Sequence, residues 1–288
     1  LPVAGGDDAG LLELRTTVDA ERLKAALGQG KRLVVIGGGY VGLEAAASAR
    51  ALGAEAVVLE RMDRVLQRVA SQTLSDFYTA RHTAEGVAIR TGVEVSAVSA
   101  NSVTLGNGEV LTADAVLVGI GAIASDAIAR EAGLECPDGI VVDLEARTSD
   151  PAIFAVGDVT RRPLPHYDGV MHRLESVPNA LEQAKQVASA ITGRAAPTAE
   201  VPWFWSDQYD AKLQIAGLPF GADRQVVRGD VSSGSFAVFH LKGDRIVCVE
   251  AVNAAQPFMF GKQAIAKAMA VNADILADEA APIKSAAI

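Results

Sequence analysis

The chain has few cysteines and no long hydrophobic run, and each shortage excludes a class of protein. Cys136 and Cys248 stand far apart without C-x-x-C spacing, which argues against a metal site, a redox dithiol and a disulfide-rich secreted protein. The most apolar run, 115–124, is interrupted by Gly119 and Gly121 and indicates a buried strand and a turn, not a membrane span. With no signal-peptide pattern, we expect a cytoplasmic protein.

Basic charge is also scarce, since the net charge is −9. This balance predicts that neither nucleic acid nor an anionic membrane is a partner. The charge is uneven, because residues 161–220 carry as many basic as acidic side chains. Two interpretations of that segment stay open: chance combined with a solvated helix face, or a local surface that escapes the overall charge.

A glycine-rich turn between a predicted strand and a predicted helix is the most informative feature that is present. Gly37, Gly39 and Gly42 have G-x-G-x-x-G spacing after the apolar run 33–36. Glycine allows a tight turn and a close approach of the backbone to a pyrophosphate. We expect the helix to begin near Tyr40, so that N–H groups at Tyr40 and Val41 and the positive end of the helix dipole face that anion.

An acidic residue supports this interpretation. Glu60 closes the next apolar strand, 56–59, eighteen residues after Gly42. A carboxylate there can accept hydrogen bonds from both ribose hydroxyls and would repel a 2′-phosphate, so the sequence favours NAD over NADP. An ordinary glycine-rich loop is the alternative, but strand, glycines, helix and acid in register favour a nucleotide site.

The remaining patterns divide the chain into three predicted domains with an α/β fold. Residues 1–121 are predicted to form one doubly wound domain, with helices over 18–27 and 71–85, strands at 87–90 and 114–119, and a small antiparallel ribbon over 94–111 around Asn107-Gly108. Residues 122–200 are predicted to hold strands at 139–142 and 152–156, a loop over 162–167 and a helix over 175–191. That is too few strands for a complete sheet.

The third predicted domain, 201–288, begins at Trp203 and has an α+β pattern. Strands are expected near 212–216, 224–228, 235–241 and 245–251, followed by helices near 257–270 and 272–277. His166 and His172 are expected in surface loops. The sequence has no metal-ligand spacing, no Ser/His/Asp set and no P-loop, so no metal site is predicted.

Several stretches together resemble one family. The chain is similar to the FAD-dependent, NADH-using ferredoxin reductases of bacterial oxygenase systems, such as the putidaredoxin and rubredoxin reductases. The first three matching stretches also occur in the wider group of flavoproteins with two dinucleotide-binding domains, whereas the last two are specific to this branch. The stretches are 37–44 (GGGYVGLE), 116–121 (VLVGIG), 148–158 (TSD through VGD), 175–180 (ESVPNA) and 202–208 (PWFWSDQ).

The resemblance implies an NAD(H)-binding domain at 1–121, the second half of an FAD-binding domain at 122–200 and a C-terminal α+β domain at 201–288. The family begins with another strand, G-x-G-x-x-G turn and helix that hold FAD, and these 288 residues contain no counterpart. The resemblance thus implies that the first half of the FAD domain is absent. The implied function is hydride transfer from NADH to FAD and then single-electron transfer to a [2Fe–2S] ferredoxin or a rubredoxin serving an oxygenase.

The family also implies roles for three residues beside the flavin. Asp158 would bind a ribityl hydroxyl, although a strand-end turn is the alternative. Val177 would offer its backbone N–H to the flavin pyrimidine edge, although core packing is the alternative. Glu44, expected on the first turn of the nucleotide helix, would pair with a flavin-side lysine near the reactive N5 atom, which makes it the candidate catalytic residue. Its alternative role is to favour the helix N-terminus.

Three more residues are implied to lie near the nicotinamide or the flavin edge. Gly121 would let the nicotinamide approach closely, and Glu175 would touch its carboxamide. Trp205 would lie at the flavin edge where the iron–sulfur partner docks, whereas Trp203 is expected to be a packed aromatic hinge between domains. Within residues 161–220, Lys185 and Arg173 are the candidates for docking the partner.

Two rival functions stay open. One is a pyridine nucleotide-disulfide reductase or NADH oxidase, but such reductases carry a C-terminal His-x-x-x-x-Glu pair and no histidine follows His240. The other is a non-catalytic NAD-binding fragment or an interaction protein similar to apoptosis-inducing factor.

Overall fold

The computed structural model describes residues 1–8 and 10–288. They form two compact units, one made of Leu1–Gly121 and Ser206–Ala211 and the other of Ala122–Trp205 and Lys212–Ile288. The division into three domains stays a prediction. The helices and strands that lie in the first 121 residues are α1 Thr17–Ala26, β1 Arg32–Ile36, α2 Tyr40–Ala51, β2 Glu55–Leu59, α3 Gln72–Ala84, β3 Val87–Arg90, β4 Val95–Ser99, β5 Ser102–Leu105, β6 Val110–Thr112 and β7 Ala115–Val118.

A parallel sheet with strand order β3-β2-β1-β7 is the centre of the first unit. Its middle strand β1 is apolar, and Leu33, Val34 and Val35 are fully buried, as expected for a strand covered on both faces. Val34 pairs with Val57 of β2 and with Val116 of β7. Because parallel strands end at the same edge, this register brings together the residues that follow β1, β2 and β7.

The predicted ribbon over 94–111 is a three-stranded antiparallel sheet, β4-β5-β6. The Asn107-Gly108 turn joins β5 to β6, as predicted, with Gly108 at a φ of +87° and the Asn107 side chain accepting from the Glu109 N–H at 3.0 Å. A second turn at 100–101 separates β4 from β5 and has no glycine, so turn composition did not reveal it.

The second unit contains a small sheet and a larger one. The small sheet has the order β10-β9-β8, and the antiparallel sheet has the order β11-β12-β15-β14-β13. The last residues of β11, from Ser206, and the turn that follows belong to the first unit. The remaining elements are α4 Ala127–Glu131, β8 Ile140–Val141, β9 Thr160–Leu164, β10 Val170–Arg173, α5 Val177–Thr192, β11 Trp203–Gln208, β12 Ala211–Gly217, β13 Arg224–Asp230, β14 Ser235–Lys242, β15 Arg245–Val252, α6 Ala255–Ala266 and α7 Ala273–Ala277.

The large sheet packs one face on the C-terminal helices. Phe239, Leu241 and Val249 from the sheet and Phe258 from α6 are buried in one cluster. The predicted helix over 257–270 begins earlier, at Ala255, and ends at Ala266. Among residues 1–8 and 10–288, no helix is long and apolar enough to cross a membrane.

Three predictions for residues 122–200 are wrong, and they concern a strand, a loop and two histidines. The strand predicted at 152–156 is not formed, and only an isolated bridge joins Phe154 to Arg147. Turn chemistry takes these backbone groups, because the Ala152 N–H donates to the Asp150 side chain at 2.9 Å and the Ile153 N–H donates to the Asp150 carbonyl at 3.0 Å. The first two N–H groups of this apolar run therefore bond within a turn, and a continuous strand does not form.

The loop predicted over 162–167 is instead part of β9 followed by a short 3₁₀ turn, Pro165–Tyr167. Strand β9 pairs with β10, with Pro163 opposite Met171. Arg162 points inward and is 2% exposed, and its guanidinium reaches Glu182 of α5 at 2.9 Å. A polar residue such as arginine is typical of a loop, and the partner that allows Arg162 to be buried lies 20 residues away. The local sequence therefore predicts a loop where the chain forms a strand.

The histidines of this region are likewise not simply in surface loops. His166 lies in the 3₁₀ turn, half-buried, with its ring nitrogen 3.2 Å from the Ala199 carbonyl oxygen. His172 lies in β10 with its ring edge-on to Phe220, and burial lowers the pKa of His172.

Candidate functional site

The glycine turn between β1 and α2 uses its glycines for two different purposes. Gly37 has a φ of +111°, and a Cβ there would lie 2.4 Å from the Gly119 carbonyl oxygen. A Cβ on Gly42 would lie 2.1 Å from the Gly37 carbonyl oxygen. These two glycines are therefore required by the close contact of backbone with backbone.

Gly39 is different, because a Cβ there would meet nothing within 4 Å. Gly39 is the N-cap of α2, and no side chain caps the helix. The first helical hydrogen bond is made by the Leu43 N–H to the Gly39 carbonyl at 3.0 Å. The N–H groups at Tyr40 and Val41 come before it, at the end of the helix where donors point out along the axis. Open space beside an uncapped helix N-terminus fits a phosphate group.

Glu60 lies directly beyond β2 and is half-buried. Its Oε2 accepts from the Gly38 N–H and its Oε1 accepts from the Met62 N–H, both at 2.8 Å. These bonds fix the carboxylate against the glycine turn. A carboxylate has about four lone-pair positions, so this arrangement leaves acceptor capacity for a pair of hydroxyl groups.

Gly121 follows β7 at the same edge of the sheet and has a φ of +113°. The Gly119 N–H donates to the Ile36 carbonyl at 2.8 Å, which ties this segment to the end of β1. The Arg68 guanidinium lies 3.9 Å from the position that a Cβ on Gly121 would occupy. Arg68 is thus a cationic side chain at this edge that the sequence did not single out.

Glu44 is not on the first turn of its helix, which corrects the prediction: α2 begins at Tyr40, and its first turn contains no acidic residue. The Ser206 hydroxyl donates to Glu44 Oε1 at 2.5 Å. Burial raises the pKa of Glu44, the Ser206 hydrogen bond opposes that rise, and the charge of Asp207 adds to it. Glu44 is therefore a partly desolvated carboxyl with a defined partner.

In the second unit, Asp158 lies half-buried between β8 and β9, next to Gly157 at a φ of +84°. Gln183 of α5 fixes this segment, because its Oε1 accepts from the Gly157 N–H at 2.7 Å and from the Thr160 hydroxyl at 2.9 Å. The side-chain N–H₂ of Gln183 is buried and has no hydrogen-bond partner among the described residues.

Val177 is the first residue of α5 and is 59% exposed, so it is not packed in a core. Ser176 caps the helix and accepts from the Asn179 N–H at 3.3 Å. Glu175, just before the cap, forms an ion pair with Arg173. The structure thus places Glu175 and Val177 together at the N-terminus of α5.

The two tryptophans have different environments. Trp203 packs against the core of the second unit, with the Lys262 ammonium 4.8 Å above its ring. Trp205 lies 5.7 Å from Trp203, centroid to centroid, and is 46% exposed.

Comparison with known proteins identifies the family. The model of the pyridine nucleotide-disulphide oxidoreductases matches residues 1–184, and the reductase C-terminal model matches 203–287. The chain is 48% identical over 285 residues to a probable ferredoxin reductase, CtmF, of Castellaniella defragrans, covering 97% of this chain and 70% of that protein. The chain belongs to the ferredoxin reductase family of these oxidoreductases.

Other ferredoxin reductases agree with this assignment. Putidaredoxin reductase CamA of Pseudomonas putida is 42% identical over 294 residues, with 99% of this chain and 69% of that protein covered. The crystal structure of a covalent putidaredoxin reductase–putidaredoxin complex matches with a TM-score of 0.95 and 41% identity, covering 99% of this chain and 70% of that one. The predicted family is confirmed, as is a mixed α/β fold.

More distant matches show the fold alone. A NAD-dependent persulfide reductase from A. fulgidus matches with a TM-score of 0.83 at 23% identity, covering 99% of this chain and 57% of that one.

Sequence reasoning missed several residues of this ferredoxin reductase. Ser206 and Gln208 stand in the 202–208 stretch that carries the resemblance, and that stretch is the sequence signal that points to them. His82 is fully buried and contacts Gln208 at 2.8 Å. Nothing local could have revealed that contact, which spans 126 positions of the chain.

Proposed function

We propose that this chain transfers hydride from NADH to FAD and passes single electrons to a small iron–sulfur ferredoxin or a rubredoxin. Members of the family use FAD and NAD(H). The observation that carries the proposal is the open turn at Gly39 beside the fixed carboxylate of Glu60, in a chain similar to named ferredoxin reductases over nearly its full length. The redox chemistry itself belongs to the bound cofactors.

For the nicotinamide coenzyme, the first unit supplies the binding groups. The start of α2 at Gly39, Tyr40 and Val41 would hold the pyrophosphate, and Glu60 would hold the adenine ribose. Gly37 and Gly42 let the backbone turn tightly enough to form the site. Gly121, without a side chain, would leave room for the nicotinamide ring at the edge of the sheet.

For FAD, the second unit supplies Asp158, held beside Gly157, and the N-terminus of α5 at Val177. The positive end of the α5 dipole there favours negative charge on a bound ring. Glu175 is the candidate contact for the nicotinamide carboxamide, and Trp205 is the candidate contact for the flavin edge. Glu44 is the candidate for a carboxylate that lies close to the reacting atoms. We further propose that the small sheet β10-β9-β8 belongs to the second half of an FAD-binding domain.

The names of the relatives support this choice of partner. They include putidaredoxin reductase, rhodocoxin reductase and a rubredoxin-NAD(+) reductase. A cytoplasmic location stays a prediction.

The test follows electrons from the coenzyme to the protein partner. The purified chain is mixed with FAD, freed of unbound flavin and titrated with NADH without oxygen. Bleaching of the visible flavin band is expected, followed by reduction of cytochrome c only when a [2Fe–2S] ferredoxin or a rubredoxin is added. Bound flavin that NADH cannot bleach contradicts the hydride step. Absence of bound flavin, with NADH still bound, favours the non-catalytic NAD-binding alternative.

A further inference from the structure

Four hydrogen bonds link Glu44 to Tyr209 in one continuous chain, and all their residues lie in the first unit. Ser206 Oγ is 2.5 Å from Glu44 Oε1, and Gln208 Nε2 is 3.1 Å from Ser206 Oγ. Gln208 Oε1 is 2.8 Å from His82 Nε2, and His82 Nδ1 is 3.2 Å from the Tyr209 hydroxyl. The three linking side chains are almost inaccessible to water, at 1% for Ser206 and 0% for Gln208 and His82.

The available donors and acceptors allow only one direction for this hydrogen-bond chain, in which each hydrogen is donated toward Glu44. An ionised carboxylate only accepts, so the single hydrogen of Ser206 goes to Glu44. Ser206 then accepts from the Gln208 amide N–H₂, which leaves the Gln208 oxygen to accept from His82 Nε2–H. Neutral His82 must therefore carry its proton on Nε2 and accept at Nδ1 from Tyr209. Every hydrogen points toward Glu44.

The far end of the chain is held rigidly. Tyr209 begins a two-residue turn between β11 and β12 and has a φ of +55°, a costly conformation for a residue with a side chain. Its ring is edge-on to His82, with centroids 5.0 Å apart, and the Arg81 guanidinium lies 5.3 Å from it. Arg81 also bonds Asp210 at 3.1 Å. Helix α3 thus fixes the turn that presents Ser206 and Gln208.

The surroundings of Glu44 otherwise oppose its negative charge. Burial and the charge of Asp207 raise the pKa of Glu44, and the Ser206 hydrogen bond lowers it. The Tyr78 hydroxyl is also buried, has no hydrogen-bond partner among residues 1–8 and 10–288, and has its pKa raised partly by the charge of Glu44. Among these influences on Glu44, the hydrogen bond from Ser206 is the one that favours the ionised carboxylate.

We propose that Ser206, Gln208 and His82 are positioning residues that orient the Glu44 carboxylate and hold it ionised through a one-way chain of hydrogen bonds. These hydrogen bonds join side chains of this protein alone. Their importance for flavin reduction rests on the proposed function, in which Glu44 lies close to the reacting atoms.

The pKa of Glu44 is the quantity to measure, by ¹³C NMR of side-chain carboxylates in the 288-residue chain, with the signal assigned from Glu44→Gln. Ser206→Ala removes the direct donor and should raise that pKa by about one unit. Gln208→Met keeps the side-chain volume but removes the hydrogen bonds one step further from Glu44. It should therefore raise the pKa of Glu44 less than Ser206→Ala does. His82→Phe should behave like Gln208→Met, whereas His82→Gln, whose amide N–H can replace Nε2–H, should restore the original value.

A matched control is Ser96→Ala, which removes a serine hydroxyl that donates to backbone carbonyls in β5. It should leave the pKa of Glu44 unchanged. If Ser206→Ala and Gln208→Met lower the melting temperature but leave the pKa of Glu44 unchanged, these hydrogen bonds only stabilise the fold and the proposal is wrong. ¹⁵N NMR of His82 gives an independent test, because a proton found on Nδ1 in neutral His82 would also overturn it.

A third measurement separates this inference from the proposed function. In flavin-loaded protein, the pH profile of flavin reduction by NADH should move with the pKa of Glu44 in Ser206→Ala. A Glu44 pKa that shifts while the profile stays fixed supports the hydrogen-bond chain and contradicts a role for Glu44 in reduction.

Discussion

At the scale of single residues, Glu60 sets the expected choice of coenzyme. Its two backbone hydrogen bonds hold the carboxylate in one orientation. Glu60→Ala should weaken NADH binding by roughly 2–3 kcal/mol, because a charge-assisted pair of hydrogen bonds is lost, and should narrow the preference over NADPH. Steady-state kinetics with both coenzymes measure this.

Glu55→Ala is the matched control for coenzyme choice. Glu55 lies on the same strand but is exposed and paired with Arg32, so its loss should leave the preference unchanged. Equal use of NADH and NADPH by the unmodified protein would show that Glu60 does not contact the ribose.

The glycines of the turn should respond differently to substitution. Gly39→Val places a branched side chain in open space where the pyrophosphate is proposed to lie, so NADH binding should fall at least a hundredfold while the melting temperature stays nearly constant. Gly42→Ala should instead destabilise the fold by about 2 kcal/mol or more, since its Cβ would overlap the Gly37 carbonyl. Calorimetry gives both quantities. Normal NADH binding by Gly39→Val would mean that the turn is only structural.

The scale of helices and strands shows what the sequence could and could not predict. Helix α3 was predicted with its Ser71 cap, because the Ser71 side chain accepts from the Leu74 N–H within one turn. The glycine turn and Glu60 were found because their spacing is local and has a known purpose. Strand β9 and the chain from Glu44 to Tyr209 were not, because Arg162–Glu182 and His82–Gln208 pair across 20 and 126 positions. Polar residues predict a loop when the distant partners that allow them to be buried are not visible in the local sequence.

Packing of the β11–β12 turn on α3 predicts a pH dependence of stability. Burial lowers the pKa of His82 below its ordinary 6.5, with the Gln208 bond opposing that shift. The unfolded chain therefore binds the proton more readily, and the free energy of unfolding should fall as the pH is lowered through 6.5. His172, whose pKa is also lowered, should contribute in the same direction.

Denaturant unfolding at a series of pH values tests this dependence. His82→Gln should flatten the decline below pH 6.5, because the titrating group is gone, and His172→Asn should remove a further part of it. Stability that rises as the pH is lowered through 6.5 would contradict the prediction.

At the scale of the whole molecule, we expect the ferredoxin partner to be acidic, so this protein, whose net charge is −9, should bind it through a local surface without excess negative charge. Lys185 is accessible because its side chain is 64% exposed, and its ion pair with Glu200, at 3.5 Å, is itself open to solvent. Arg173 is only 17% exposed and is paired with Asp138 and Glu175, which makes it a poor docking candidate. Lys185→Glu should slow ferredoxin reduction and leave ferricyanide reduction by NADH unchanged.

The defect should be largest at low salt and should shrink as the Debye length falls below ~8 Å. Lys24→Glu, on the exposed part of α1, is the charge-matched control and should have little effect. An equal loss with both acceptors would assign Lys185 to folding or flavin binding, and no loss with either would move the docking surface elsewhere.

The two cysteines, Cys136 and Cys248, both lie in the second unit, and both are buried with pKa values raised by burial. A thiol reagent can modify them only when that unit opens. The rates at which the two thiols are modified therefore report how often the second unit opens. Cys136, in a small cluster with Ala129, Ile140 and Val142, should be modified quickly, and Cys248, inside the five-stranded sheet, slowly. If Gly42→Ala in the first unit changes neither labelling rate, the second unit opens independently of the first.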